Sequence, residues 1–269
     1  MRRVGIIGFG AIATWIAGHM RARPVCNHVL AAALTRPSQQ EEARQMLPAG
    51  STVTTDIERF LAADLDIVIE AAGQQAVRDL AAPVLQRCRE LQVLSAGALA
   101  DAAFRAHIGS VASKNDARVT IPAGALAGFR GLLAFRHAGL TSVTYTSTKP
   151  PSAWRGTMAE RTIALDQIDG TVVLFSGSAQ EAALRFPKNA NLAAVVALAG
   201  LGFEQTRVRL IADPSTTENT GHIKAVSVAG LLEVTMSGPA FEANPKTSEV
   251  TGWSVIAALH NRVETISFA

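Results

Sequence analysis

The chain has 269 residues, 48% of them hydrophobic and 17% charged, with a formal net charge of +3. That length supports one large or two modest domains with real cores, and the composition excludes a disordered or fibrous chain. The positive charge is dispersed rather than gathered into a tail or stripe, which argues against a nucleic-acid partner and suits small anionic ligands. No apolar run is long and glycine-free enough to span a bilayer, so no membrane partner is expected. The opening Met1-Arg2-Arg3-Val4-Gly5-Ile6-Ile7-Gly8 reads as a strand and not as an export signal. Cys26 and Cys88 cannot make a disulfide framework and are expected as reduced thiols of a cytoplasmic protein.

In chain order, the first half alternates strands and helices. Strands are expected at 4–7, 29–34, 52–54, 66–70, 92–95 and 118–121, and helices at 11–23, 38–46, 74–90 and 101–114. Ser38 and Glu41 read as a capping box, and Asp56 as the cap of a further helix. This rhythm implies parallel strands joined by right-handed crossovers. After Pro122 the chain becomes strand-rich, with strands at 142–148, 171–175, 206–212, 225–228 and 231–236 and helices at 179–185 and 192–201. A last helix, 248–261, is expected to return to the first domain. The fold class is therefore α/β. A Rossmann domain with a parallel sheet spans 1–122, with 247–269 packing back on it, and an α+β domain with a mixed or antiparallel sheet spans 123–246.

Gly8-Phe9-Gly10-Ala11-Ile12-Ala13 has the form G-x-G-x-x-A, between a strand and a helix. Gly8 permits the tight turn, Gly10 lets backbone approach a pyrophosphate, and Ala13 lets helix and strand pack closely. The amides of Ala11 and Ile12 open a helix N-terminus that favours an anion. No acidic residue ends the second strand, where one would bind a ribose 2′-OH. Arg36 stands there instead and suits a 2′-phosphate, so NAD and NADP are both candidate cofactors. Ala72 and Gly73 after the fourth strand, and the Ser95-Ala96-Gly97-Ala98 turn after the fifth, leave room for nicotinamide and ribose.

Four stretches of the second half combine polar residues with turn formers: 146–151, 186–191, 213–222 and 244–248. Lys149, Lys188 and Lys246 lie in them, each beside a proline. Hydride transfer with a change of C–N or C–O bond order needs a group that moves protons, and histidine titrates in the working range. Of six histidines, His222 is singled out because it ends a long polar loop just before a strand.

These strings, with Pro122-Ala123-Gly124-Ala125-Leu126, Pro187-Lys188-Asn189-Ala190-Asn191 and Asn244-Pro245-Lys246-Thr247-Ser248, resemble the L-aspartate dehydrogenase family along nearly the whole chain. The resemblance implies oxidative deamination of L-aspartate by NAD(P)+, through iminoaspartate, to oxaloacetate and ammonia, with a role in NAD biosynthesis. It implies His222 as catalytic acid/base, Ala125 and Asn191 as dinucleotide contacts, and a homodimer formed through the second domain's sheet. Two departures stand out. The Glu218-Asn219-Thr220-Gly221-His222 stretch runs one residue longer than the family's form, and Ala125-Leu126-Ala127 replaces A-I-G. A dicarboxylate needs cations, for which Lys149, Lys188 and Lys246 are candidates, and Asn189 and Asn191 offer amides to a carboxamide or ribose. Asp213 or Glu218 is a candidate to hold His222 in one tautomer, the alternative being a helix cap. No metal site is expected, since the cysteines are far apart and no histidine pair has ligand spacing. The alternatives are a dehydrogenase of another amino or hydroxy acid, or a non-catalytic dinucleotide-binding sensor.

Overall fold

The computed structural model describes residues 1–25, 27–187, 189–242 and 244–266. The chain folds as two compact units, Met1–Gly124 joined by the segment from Thr251, and Ala125–Val250.

The first unit alternates β1 (Arg2–Ile7), α1 (Ala11–Ala22), β2 (His28–Leu34), α2 (Gln40–Met46), β3 (Thr52–Thr54), α3 (Ile57–Leu61), β4 (Ile67–Glu70), α4 (Gln74–Leu85), β5 (Glu90–Val93), α5 (Ala102–Lys114) and β6 (Arg118–Thr120). All its strand pairs are parallel, in the order β3-β2-β1-β4-β5-β6. The strand order reverses between β1 and β4, which is the switch point of a doubly wound sheet. Val4 to Ile7, Leu30 to Leu34 and Ile67 to Ile69 are buried, as both-face burial of parallel strands requires. One core cluster joins α4 and α5 to the sheet through Val77, Val84, Leu85 and Ile108. The other joins α1 to it through Ala13, Ile16 and Ala17. Asp56 caps α3 by accepting from the amides of Glu58 and Arg59, as the sequence suggests.

The second unit contains α6 (Phe129–Ala138), β7 (Leu140–Lys149), β8 (Val172–Ser178), α7 (Ala179–Arg185), α8 (Asn191–Ala199), β9 (Arg207–Ala212), β10 (Asn219–Ser227), β11 (Gly230–Gly238), β12 (Ala240–Phe241) and β13 (Asn244–Ser248). Five strands form a mixed sheet, β11-β10-β7-β9-β8, in which only β7 and β9 run parallel, while β12 and β13 make a separate antiparallel pair. The last helix, α9 (Val250–His260), supplies Val255, Ile256 and Leu259 to the cluster around α1. A Cβ on Gly252 would lie 2.5 Å from the Trp15 ring, so glycine permits this close approach.

Several expected elements are corrected. The 38–46 helix begins as a 3-10 turn at Pro37, whose fixed φ starts the helix one residue early, and Gln39 rather than Ser38 and Glu41 reaches back across it. The 74–90 helix ends at Leu85, and β5 takes Glu90 and Gln92 as buried residues. Glu90 is held there by Arg118 Nε at 3.2 Å, by Thr120 Oγ1 at 2.7 Å and by a close contact from Arg262. Strand pairing also claims 219–222 and 244–248, which read as loops, and α6 is a helix the sequence reading did not expect. Cys88 is buried, with its thiol pushed up to about 11 by that burial, and Cys26 lies outside the described residues.

Candidate active site

The glycine turn follows β1 directly. Gly8 holds φ at +85°, and a Cβ there would lie 2.7 Å from that of Ala72, so only glycine lets this turn press against the loop after β4. A Cβ on Gly10 would meet nothing within 4 Å, which leaves open space before the first turn of α1. That turn has no side-chain cap and no acidic residue. The amides of Ala11 and Ile12 and the helix dipole therefore suit an anion, and the residues present fit a dinucleotide pyrophosphate. Gln39 Nε2 donates to the Phe9 carbonyl at 2.9 Å and steadies the turn from the β2 side. Arg36 is exposed just beyond the end of β2.

Across the switch point, Gly73 caps α4 with φ at +120° and faces open space. Beneath it lies Glu70, a residue the sequence reading missed. Its Oε1 accepts from Ala72 N and Gly73 N, each at 2.8 Å, and from Ser95 Oγ at 2.9 Å, while Oε2 accepts from Ser95 N at 3.0 Å. Burial pushes this carboxyl up from its ordinary value, and the hydrogen bonds pull it back. The signal for it was a carboxylate ending the otherwise apolar strand Asp66-Ile67-Val68-Ile69-Glu70.

In the second unit, Lys149 ends β7 and is buried. Its Nζ donates to the Lys246 carbonyl at 2.7 Å and lies 5.8 Å from the centre of the Trp154 ring. Asn219 Nδ2 donates to the neighbouring Pro245 carbonyl at 3.2 Å, so Lys149 and Asn219 hold consecutive carbonyls of β13. Neither Lys149 nor Lys246 makes an ion pair among the described residues. Burial first, and the Lys246 charge second, bring the Lys149 ammonium down to about 8. Asn189 is buried beside Trp154, donating from Nδ2 to the Ala153 carbonyl at 3.2 Å, and its Oδ1 has no partner among the described residues. Asn191 opens α8, and Ala125 is buried at the start of the unit. Lys188 lies outside the described residues.

His222 stands apart from this group. In the β7–β10 pairing Gly221 opposes Ser147, and His222 opposes Thr146. Opposed residues share a sheet face and successive residues alternate, so Gly221, Ser147, Asn219 and Lys149 share one face while His222 takes the other. The first face is packed, since a Cβ on Gly221 would lie 2.6 Å from Leu126 Cδ2. On the other, His222 Nε2 lies 3.1 Å from Glu233 Oε1 of β11, and Lys224 Nζ lies 3.8 Å from Glu233 Oε2. The expectation that Asp213 or Glu218 orients His222 is thereby corrected. Asp213 instead accepts from Ser215 and Thr171, and the Glu218 amide donates to Thr216. Among the described residues no cluster of His, Cys, Asp or Glu is arranged to hold a metal.

A doubly wound parallel sheet with a glycine turn at its switch point in one unit, and buried cationic and amide groups in the other, define a nicotinamide-dinucleotide oxidoreductase. Residues 131–262 match the family model described as aspartate dehydrogenase, C-terminal, and residues 8–122 match that of the homoserine dehydrogenase NAD binding domain. The chain is 39% identical to the L-aspartate dehydrogenase of Ralstonia nicotianae over 270 residues, covering 99% of this chain and 100% of that one. It is 38% identical to that of Acinetobacter baumannii over 267 residues, covering 99% of each. A crystal structure of aspartate dehydrogenase from Thermotoga maritima superposes with a TM-score of 0.77 at 25% identity, covering 100% of both chains. The chain belongs to the L-aspartate dehydrogenase family.

Lys149 makes stability depend on pH. Its folded-state value is lowered from 10.5 to about 8, so between these values the unfolded chain binds the extra proton and stability rises with pH. Relative to Lys149→Met, the wild-type chain should gain up to about 3 kcal/mol from pH 8 to 10.5, read by urea unfolding across that window. A flat difference would mean that the ammonium is solvated.

Proposed function

We propose that this chain catalyses the reversible oxidation of L-aspartate to iminoaspartate, with hydrolysis to oxaloacetate and ammonia. In this reading the first unit binds the dinucleotide and the second binds the amino acid. The observation that carries it is the buried Lys149 donating to the carbonyl of Lys246, with neither lysine paired to a carboxylate among the described residues, an arrangement that suits an acidic substrate. The bound dinucleotide supplies the hydride acceptor. Gly8, Gly10, Ala11 and Ile12 hold its pyrophosphate, Ala72 and Gly73 flank its nicotinamide side, and Ala125, Asn189 and Asn191 contribute from the second unit. Lys188 joins the lysines on the same chemical ground. Arg36 favours a 2′-phosphate, and Arg36→Ala should lower the NADPH-to-NADH efficiency ratio about tenfold, read from kcat/KM for each.

Two groups qualify for proton transfer, and strand alternation separates them. Iminoaspartate must gain water and lose ammonia, so a base must take a proton from the water that adds to the carbon and an acid must protonate the leaving nitrogen. Lys149 shares its face with Asn219, and a lysine brought down to about 8 by burial can release its proton and serve as base, which leaves the Lys246 charge to the substrate's carboxylates. His222 lies on the opposite face, tied to Glu233. We therefore give proton transfer to Lys149, and the role implied for His222 becomes the second reading. The test is ammonium-dependent oxidation of NADH and NADPH with oxaloacetate. Lys149→Met should lose about a hundredfold or more in kcat, while His222→Ala stays within about threefold. The reverse result returns the role to His222. Oxidation without ammonium would indicate a hydroxy-acid dehydrogenase, and binding without turnover a sensor.

The homodimer and the cytoplasmic location belong to the same proposal. Val226 and Leu231 are exposed on the β10–β11 edge of the sheet, which suits a second copy. Sedimentation equilibrium at micromolar concentration should give about twice the chain mass; a single-chain mass would remove the dimer. Among the described residues no helix is long and apolar enough to cross a membrane, and the buried Cys88 thiol is compatible with a reducing compartment. Cell fractionation tests the location, and recovery outside the soluble fraction would refute it.

A further inference from the structure

We propose that Glu70 is the positioning residue for the nicotinamide half of the dinucleotide, because it fixes the two loops that border the β4–β5 side of the crevice. Dinucleotides lie across the switch point of a doubly wound sheet, at the carboxyl ends of its strands. The glycine turn and Arg36 serve the β1–β2 side, which leaves the loops after β4 and β5 for the nicotinamide half. Those loops, Ala71-Ala72-Gly73 and Ser95-Ala96-Gly97-Ala98, carry one hydroxyl and otherwise only small apolar side chains. They can shape a pocket only through their backbone, so their conformation has to be set from below.

Glu70 sets it. One carboxylate oxygen takes the amides of Ala72 and Gly73 and the Ser95 hydroxyl, and the other takes the Ser95 amide. Every partner is a donor, and an ionised carboxylate is the side chain that offers only acceptors. Its burial is costly, and charge-assisted hydrogen bonds are what offset that cost. An amide of the same size keeps one acceptor but turns an N–H toward one of the donors, so Glu70→Gln loosens a loop without removing bulk.

This inference rests on the dinucleotide reading of the crevice and not on the identity of the amino acid. It is tested with the full chain by titrating NADH and ADP-ribose into wild type, Glu70→Gln and Ser95→Ala, with urea unfolding run alongside. ADP-ribose lacks the nicotinamide, so it separates a local effect from loss of the scaffold. Glu70→Gln should bind NADH about tenfold more weakly while ADP-ribose stays within about twofold. Ser95→Ala, which removes a single donor, should shift the same way by less and carries the test if Glu70→Gln fails to fold. Equal loss of both ligands, or unchanged NADH affinity, would overturn the assignment. Wild-type protein that binds neither ligand would overturn the dinucleotide reading as well, which is a different pattern from a loss confined to the variants.

Discussion

The backbones after β1 and β4 meet at the point where the strand order reverses, and much of the first unit follows from that approach. Gly8 can turn there only because it has no Cβ and adopts a positive φ, and Ala72 is small enough to receive it. With those two loops fixed, α1 begins with its amides toward open space, and α4 begins at Gly73 on the other side. The crevice is therefore built mainly from backbone. Side chains work behind it, Gln39 bracing the glycine turn through the Phe9 carbonyl and Glu70 tying the loops after β4 and β5. Such an edge binds an extended anionic cofactor with little conformational loss, since its donors belong to strands and helices already ordered by the core.

The parallel sheet was legible because its signals are local. Apolar runs such as Val29 to Leu34 and Ile67 to Ile69 declare two-sided burial, and Asp56 and the glycine turn mark where helices begin. What escaped the reading depends on partners distant in sequence. Glu90 looks like the polar end of a helix until Arg262, far along the chain, accounts for the buried charge. Asn219 to His222 and Asn244 to Ser248 are rich in turn formers, yet β7 and β11 on either side of β10 impose extended backbone on the first stretch. Local preference yields where neighbouring strands supply the hydrogen bonds. Glu70 was hidden for a related reason, since its partners lie on two different turns that the sequence presents separately.

Strand alternation also decides how far a family resemblance reaches into this chain. The resemblance implies a Glu218–His222 stretch one residue longer than the family's form, and a shift of one residue is small in a loop but complete in a strand. Because β10 begins at Asn219, His222 lies inside the ladder, and its side chain falls on the opposite face from Asn219, Gly221 and Lys149. The inward position belongs to Gly221, where a Cβ would lie 2.6 Å from Leu126 Cδ2, so a side chain there requires Leu126 to move. A family motif can thus be present in letters while its side chain is turned away by register. The buried groups on the inward face, Lys149 and Asn219, are joined through the two carbonyls of β13. A buried ammonium held by a carbonyl and the Trp154 ring, and crowded by Lys246, has less reason to keep its proton than a lysine at the surface. On the proposed reading, the proton transfer that the resemblance implies for a histidine passes to this lysine without any change of fold.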